Sequence, residues 1–308
     1  MSYYAQIWEQ FIQINLLQLK KFEFYFNHKF NIKTLEELES INSSFQTPFW
    51  IKLKHWFVIC EYKVNDSSCF HTYTVPICTT RFTYESGFKQ LPSSASTLVT
   101  KNKNIQSLKL TLDAFIVDDI EEKKTNSNSF HFDNVTDLRL ELSSDCSSSS
   151  FLSMFAMIDI TRIVQITFYS YSLEAYSRDT CENIGICLKR ANNLSSLTIG
   201  GIYNKHITSE TNISLYSILP RQLKHLQISI QNFDQVKTIL DRCANLSTII
   251  LNVQNKYAKN VVEWFDRNTI NSICRISYGN IFVWLGKKNI RSTDNIKRNK
   301  RLKVNSSS

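Results

Sequence analysis

Any chemistry in this 308-residue chain would rest first on its histidines, cysteines and clustered carboxylates. The histidines stand at 28, 55, 71, 131, 206 and 225. None is spaced His-x-x-x-His and none adjoins a glutamate, so no helix face carries two metal ligands together with a base. His55 precedes Trp56, and His225 lies between Lys224 and Leu226; both read as packed or solvated side chains. The cysteines at 60, 69, 78, 146, 181, 187, 243 and 274 include no Cys-x-x-Cys pair, which leaves a zinc site without support. Asp118, Asp119, Glu121 and Glu122 are crowded rather than alternating as a calcium loop requires, and Lys123 and Lys124 follow them, so they read as a solvated loop. No Gly-x-Ser-x-Gly elbow occurs. With only 6 glycines there is no Gly-rich loop to cradle a phosphate. The sequence therefore predicts no catalytic, cofactor-binding or metal-ligating residue, and the chain is expected not to be an enzyme.

Charge narrows the partners. The net charge is +9, but it is concentrated at one end. Lys287, Lys288, Arg291, Lys297, Arg298, Lys300, Arg301 and Lys303 face a single carboxylate, Asp294. The rest of the chain is close to neutral, so nucleic-acid binding does not follow from the overall charge. The segment 286–308 reads as a basic, flexible tail, and its run KRNKRLK suits either an import receptor or plain solvation. No signal peptide and no apolar run of membrane-spanning length is visible, and the cysteines sit among apolar neighbours as free thiols do. The expected setting is the cytoplasm or nucleus, with no membrane partner.

The elements that would position any site are set by a recurring phrase. Leu194, Leu197 and Ile199 fit Leu-x-x-Leu-x-Leu. The same phrase returns as Ile105/Leu108/Leu110, Val135/Leu138/Leu140, Ile163/Ile166/Phe168, Leu223/Leu226/Ile228 and Leu246/Ile249/Leu251. Successive units begin 30, 28, 31, 29 and 23 residues apart, the period of leucine-rich repeats with some drift. Between them lie helix patterns near 150–158, over 174–191 (Cys181, Ile184, Cys187, Leu188 and Ala191 on one side), at 215–219 and over 233–243. The predicted fold is an α/β leucine-rich-repeat solenoid, irregular and horseshoe-like. Parallel strands line its concave face and helices lie outside. The concave face then presents Lys109, Thr111, Arg139, Glu141, Thr198, Gln227 and Ser229, a mixture without the single sign a phosphate backbone would demand. Asn134, Asn193 and Asn245 form sequons at the starts of repeat strands, where a glycan would fit badly.

Toward the N-terminus the pattern is less regular. Residues 3–17 predict a helix with Ile7, Phe11, Ile14 and Leu17 on its apolar face, followed by Leu19/Phe22/Phe24/Phe26 as a first, aromatic repeat unit. Residues 27–104 read as a β-hairpin-rich insert with a short helix at 34–41, capped by Thr34 with Glu37 as partner. The alternation Trp56/Val58/Cys60/Tyr62 gives one strand, and a second strand region ends with Phe82 and Tyr84, with a turn at 65–68. The expected domain is 1–285, including this insert. A start directly on a repeat suggests the later part of something longer, or a divergent remnant.

The run FQTPFWIKLKHWFVICEY at 45–62 and the closing IFVWLGKK at 281–288 resemble a group of rotifer F-box domain-containing proteins. The resemblance covers nearly the whole chain after the opening helix. It implies an N-terminal helical F-box docked on the Skp1 adaptor of a cullin ubiquitin ligase, with a repeat domain presenting substrates. The opening Leu-Pro-x-Glu-like phrase of an F-box is absent here, and 18 residues before Leu19 are too few for the module, so Skp1 binding is not expected of this chain. The expected function is a noncatalytic protein–protein interaction module akin to the substrate-recognition part of such a receptor. Its unknown protein partner would be met through the concave face or the 27–104 insert. The alternative is a stand-alone leucine-rich-repeat scaffold outside ubiquitination, which the basic tail would direct to the nucleus.

Overall fold

The computed structural model describes residues 3–29, 34–63, 66–75, 77, 79–84, 88–91, 104–112, 131–143, 146–170, 177–201, 216–230, 232–253, 255–269, 272–277 and 279–286. The expected loops at 113–130 and 202–212 and the basic tail lie outside them. The chain is mixed α/β, and its parallel strands outnumber the antiparallel ones joined to them. It divides into two units, residues 1–163 and 164–308.

The first unit opens with α1 (Tyr3–Asn15), β1 (Tyr25–Lys29) and α2 (Leu35–Ser44). A π turn at Phe49–Leu53 leads through His55, which takes a positive φ of 55°, into β2 (Phe57–Lys63). β3 (Asp66–Val75), β4 (Arg81–Tyr84) and β5 (Phe88–Gln90) follow. Strands β1, β3, β2 and β5 form an antiparallel sheet in that order. One face of that sheet packs Phe24, Val58, Cys60 and Phe70 against α1, α2 and the aromatics Phe45, Phe49, Trp50 and Trp56. Large rings at this density bury much apolar area and explain why the stretch folds on itself.

Three expectations are corrected here. The segment Leu19–Phe26 is not a repeat unit: its strand begins at Tyr25 and pairs antiparallel with β3, Tyr25 opposite Tyr73. Phe22 instead packs, with tilted rings, among Trp8, Trp50 and Trp56, with centroids 5.4–6.0 Å apart. The buried side of α1 is Ala5 and Ile12 with half-buried Trp8, whereas Ile7, Phe11, Ile14 and Leu17 are 45–74 % exposed. Finally, β4 lies within the stretch read as an insert, yet it pairs in parallel with β6 (Ser107–Leu112), Phe82 beside Leu108. The helix at 34–41 does form, as α2, with Thr34 Oγ1 accepting from the Glu37 amide at 3.3 Å.

After β6 come β7 (Asp137–Leu142), α3 (Ser148–Met157) and a 3₁₀ turn at Ile160–Arg162. Strands β6 and β7 run in parallel and in register, Leu108 with Leu138 and Leu110 with Leu140.

In the second unit the order is β8 (Gln165–Ser170), α4 (Arg178–Arg190), β9 (Ser196–Gly201), β10 (His225–Ile230), α5 (Phe233–Arg242), β11 (Thr248–Val253), α6 (Asn255–Asn268), β12 (Ile273–Ser277) and β13 (Asn280–Trp284). Strands β8, β9, β10 and β11 are parallel neighbours. The parallel order stops there: β13 is antiparallel to β11, and β12 is antiparallel to β13. A tight return at Gly279, with φ 76°, joins the two, and a hairpin of this length leaves no room for a parallel crossover.

Every residue of the six leucine-type triplets is buried, none more than 5 % exposed. The reason for the recurring spacing is visible in the backbone. A turn closes from Leu194 N to Ala191 O (3.1 Å), Leu223 N to Pro220 O (3.5 Å) and Leu246 N to Cys243 O (3.2 Å), and delivers the first triplet residue inward. One residue later a carbonyl accepts two amides of the next unit. Ser195 O takes Lys224 N and His225 N at 2.9 and 3.0 Å, and Lys224 O takes Ser247 N and Thr248 N at 2.8 and 3.1 Å. In the first unit Thr80 O and Gln106 O do the same for residues 106–107 and 136–137. Asparagines before the triplets add side-chain rungs, Asn104 to Ile77 O (3.1 Å) and Asn245 to Arg221 O (3.3 Å). The helices cover their own unit's core: α4 buries Cys181, Ile184, Cys187 and Leu188 with Ala191 behind it, and α5 buries Val236, Ile239 and Leu240.

Candidate functional site

Because successive side chains of a strand alternate, the burial of the triplets turns their intervening residues to the other face. In the first unit this open face carries Arg81 and Thr83 on β4, Ser107, Lys109 and Thr111 on β6, and Asp137, Arg139 and Glu141 on β7. Its charges answer one another: Lys109 Nζ stands 3.0 Å from Glu141 Oε2, and Arg139 lies 3.5 Å from Asp137, which also accepts from Ser107 Oγ at 2.9 Å. Pairs at this exposure contribute little to stability, on the order of 0–1 kcal/mol. They do leave the surface near neutral.

The open face of the second unit differs. Register places Gln165, Ser196, His225 and Thr248 in one row, Thr167, Thr198, Gln227 and Ile250 in the next, and Tyr169, Gly200, Ser229 and Asn252 in the third. The rows hold no Asp, Glu, Lys or Arg, and their one imidazole, His225, has its Nδ1 2.6 Å from Thr248 Oγ1. The sequence-derived face residues therefore stand on the non-core side as expected, Lys109, Thr111, Arg139 and Glu141 in the first unit and Thr198, Gln227 and Ser229 in the second.

The described thiols are mostly buried. Cys60, Cys146, Cys181, Cys187, Cys243 and Cys274 are free, and all but Cys146 and Cys274 are buried. Burial pushes the thiols of Cys60 and Cys187 up to about 12 and those of Cys181, Cys243 and Cys274 up to about 11, so the thiolate needed for attack is scarce at neutral pH. Among the described residues no three His, Cys, Asp or Glu side chains gather in a way that could hold a metal ion.

One polar cluster was not foreseen. The second face of the antiparallel sheet in the first unit sets Glu61 opposite His71 and Ile59 opposite Tyr73, with Tyr25 beside Tyr73. A carboxylate, an imidazole and a phenol are a proton-transfer set in many enzymes. Here Glu61 is 6 % exposed, His71 3 % and Tyr73 not at all, so the three lie inside the fold. Burial, followed by the charge of Glu61 and a hydrogen bond with it, raises the pKa of Tyr73 well above the usual phenol value. The cluster is an interior polar patch. Its sequence signal was the second phase of the strand alternation, Ile59 and Glu61 facing His71 and Tyr73, hidden behind the stronger apolar phase Val58/Cys60/Tyr62.

No family model, curated protein or solved structure matches this chain. No helix among the described residues is long and apolar enough to cross a membrane.

Proposed function

We propose that the chain is a noncatalytic protein-interaction module whose parallel ladder is an irregular leucine-rich-repeat array. We further propose that it serves as a substrate-presenting domain of the F-box receptor kind. The observation that supports this most is the open face of β8–β11. Its side chains are held on rigid strands in register, take no part in the core, and offer hydroxyl and amide groups without a dominant charge. Such a surface suits recognition of a folded protein or peptide by shape and hydrogen bonding. The shared carbonyl clips and the buried triplets support the repeat reading, and the run at 45–62 supports the F-box kinship.

The test is site-specific photocrosslinking in cells of the intact chain. A crosslinking residue at Gln227, on the open face, should trap a reproducible partner. The same residue at Lys237, on exposed α5, should not, and Thr198→Arg should abolish the Gln227 product without changing the melting temperature. Equal products from Gln227 and Lys237, or a product insensitive to Thr198→Arg, would overturn the proposal. A trapped partner that is itself ubiquitinated in the cell supports the receptor reading; a trapped partner that is never ubiquitinated favours the stand-alone scaffold.

A further inference from the structure

The open face of the second unit changes character at its end. Register continues the rows across β13 and β12: Thr248–Trp284–Ile273, then Ile250–Phe282–Arg275, then Asn252–Asn280–Ser277. The first two rows set Trp284, Ile273, Ile250 and Phe282 side by side, with the rings of Phe282 and Trp284 stacked 6.4 Å apart. Ile273 is 66 % exposed and Trp284 44 %. Within this apolar tile stands one cation, Arg275, exposed and without an ion-pair partner among the described residues. Tryptophan, aromatic and arginine groups inside a polar rim are the composition of interface hot spots.

The tile borders an open sheet edge. Among the described residues β12 pairs with β13 alone, so the amides and carbonyls on its outer side face away from the sheet. Both of its side-chain faces are accessible, since Ile276 on the reverse side is 53 % exposed. An edge of this sort accepts a further strand. A second copy of the chain is a poor occupant: antiparallel pairing of two β12 strands about their centre sets Arg275 against Arg275, and like charges directly opposite are destabilising.

We propose that β12 and this tile bind an extended segment of a partner protein by strand addition. The segment carries Asp or Glu opposite Arg275 and an apolar residue two positions later, over Ile273 and Trp284. An antiparallel strand, matching the β11–β13–β12 order, meets Ser277, Arg275 and Ile273 in turn. The motif is therefore a small polar residue, any residue, an acidic residue, any residue, then an apolar one. The proposal rests on the interaction-module reading, but it concerns a different part of the face, so loss of the Gln227 crosslink and loss of peptide binding are separable results.

The experiment selects a random heptapeptide display library on the full chain and measures the best peptide by fluorescence anisotropy. The expected result is enrichment of the motif. Arg275→Glu should weaken binding at least about tenfold and recover it for the peptide with its acidic residue changed to Lys. A proline placed at a backbone-pairing position of the peptide should cost a similar factor. Because Arg275 and Trp284 are exposed, Arg275→Glu and Trp284→Ala should keep the wild-type melting temperature. No enriched peptide, peptides whose affinity ignores both Arg275→Glu and Trp284→Ala, or Trp284-dependent binding to a glycan array without peptide enrichment would each overturn the proposal.

Discussion

Gly185 lies against Ile218 so closely that a Cβ on the glycine would stand 3.4 Å from both Cδ1 and Cγ2 of the isoleucine. The contact joins the buried side of α4 to the short helical segment 216–218. One methyl just fits there, and alanine is the better helix former by about 0.8–1 kcal/mol. Gly185→Ala is expected to raise stability by up to about that amount. Gly185→Leu should lower it by about 1–3 kcal/mol through overpacking. Urea titration of both variants checks the pair; destabilisation by alanine would show that the Ile218 contact is tighter than its geometry.

The two sides of β9 should answer differently to the same kind of truncation. Leu197 is 1 % exposed and belongs to the core, whereas its neighbour Thr198 is on the open face. Leu197→Ala is expected to cost about 2–5 kcal/mol by lost burial and the cavity left behind. Thr198→Ala should stay within about 0.5 kcal/mol. Equal losses in chemical denaturation would contradict the register.

Much of this arrangement was legible in the sequence because leucine-type triplets report a local geometry. Wherever Leu-x-x-Leu-x-Leu preceded a parallel partner, as at Leu194–Ile199, burial followed. The same phrase at Leu19–Phe26 misled because its aromatics pack on Trp8 and Trp50, and an antiparallel strand satisfies its backbone equally well. Strand β4 went unread as part of the ladder because Thr79 occupies the first triplet position and Phe82 and Tyr84 the others. Helix α1 carries two apolar stripes, and periodicity favoured the wider one, Ile7/Phe11/Ile14, over the buried Ala5/Ile12. Strand β12 gives no alternation signal because both its faces are accessible, so the Trp284–Ile273 tile could not be found from patterning.

Helix α5 starts on a reciprocal cap. Asn232 Oδ1 accepts the Gln235 amide at 3.2 Å, and the Gln235 side chain accepts the Asn232 amide at 3.4 Å. The Tyr216 hydroxyl lies 3.1 Å from that same glutamine oxygen, which ties the cap to the interior. Asn232→Ala is expected to cost about 0.5–2 kcal/mol. Asn232→Asp should recover most of the loss at neutral pH, because a carboxylate accepts the same bond and suits the helix N-terminus. Thermal melts of the two variants decide it.

The buried thiols predict a loss of stability in alkali. Unfolded cysteine ionises near its ordinary 9.0, whereas Cys60 and Cys187 hold their protons up to about 12 in the fold. Between those values the folded state binds more protons than the unfolded state. The contribution is therefore fully present below pH about 9 and is lost as pH rises toward about 12. Removing both thiols with Cys60→Ala and Cys187→Ala should flatten that part of the pH–stability curve relative to wild type. At pH 8, iodoacetamide should label these two residues only after denaturation, as read by peptide mass spectrometry.

The carbonyl clips at Thr80, Gln106, Ser195 and Lys224 fix where each new strand begins, while the stretches between them vary from 23 to 31 residues per unit. The chain thus has two kinds of position with respect to length. A residue added in a connection outside the strands and helices leaves the downstream register alone, because the next clip restores the frame. A single residue added between a clip and its strand would turn the leucines of that strand outward. Length is thus tolerated in the connections and forbidden between a clip and its strand, so a connection can be remodelled without turning over the strand face that follows it.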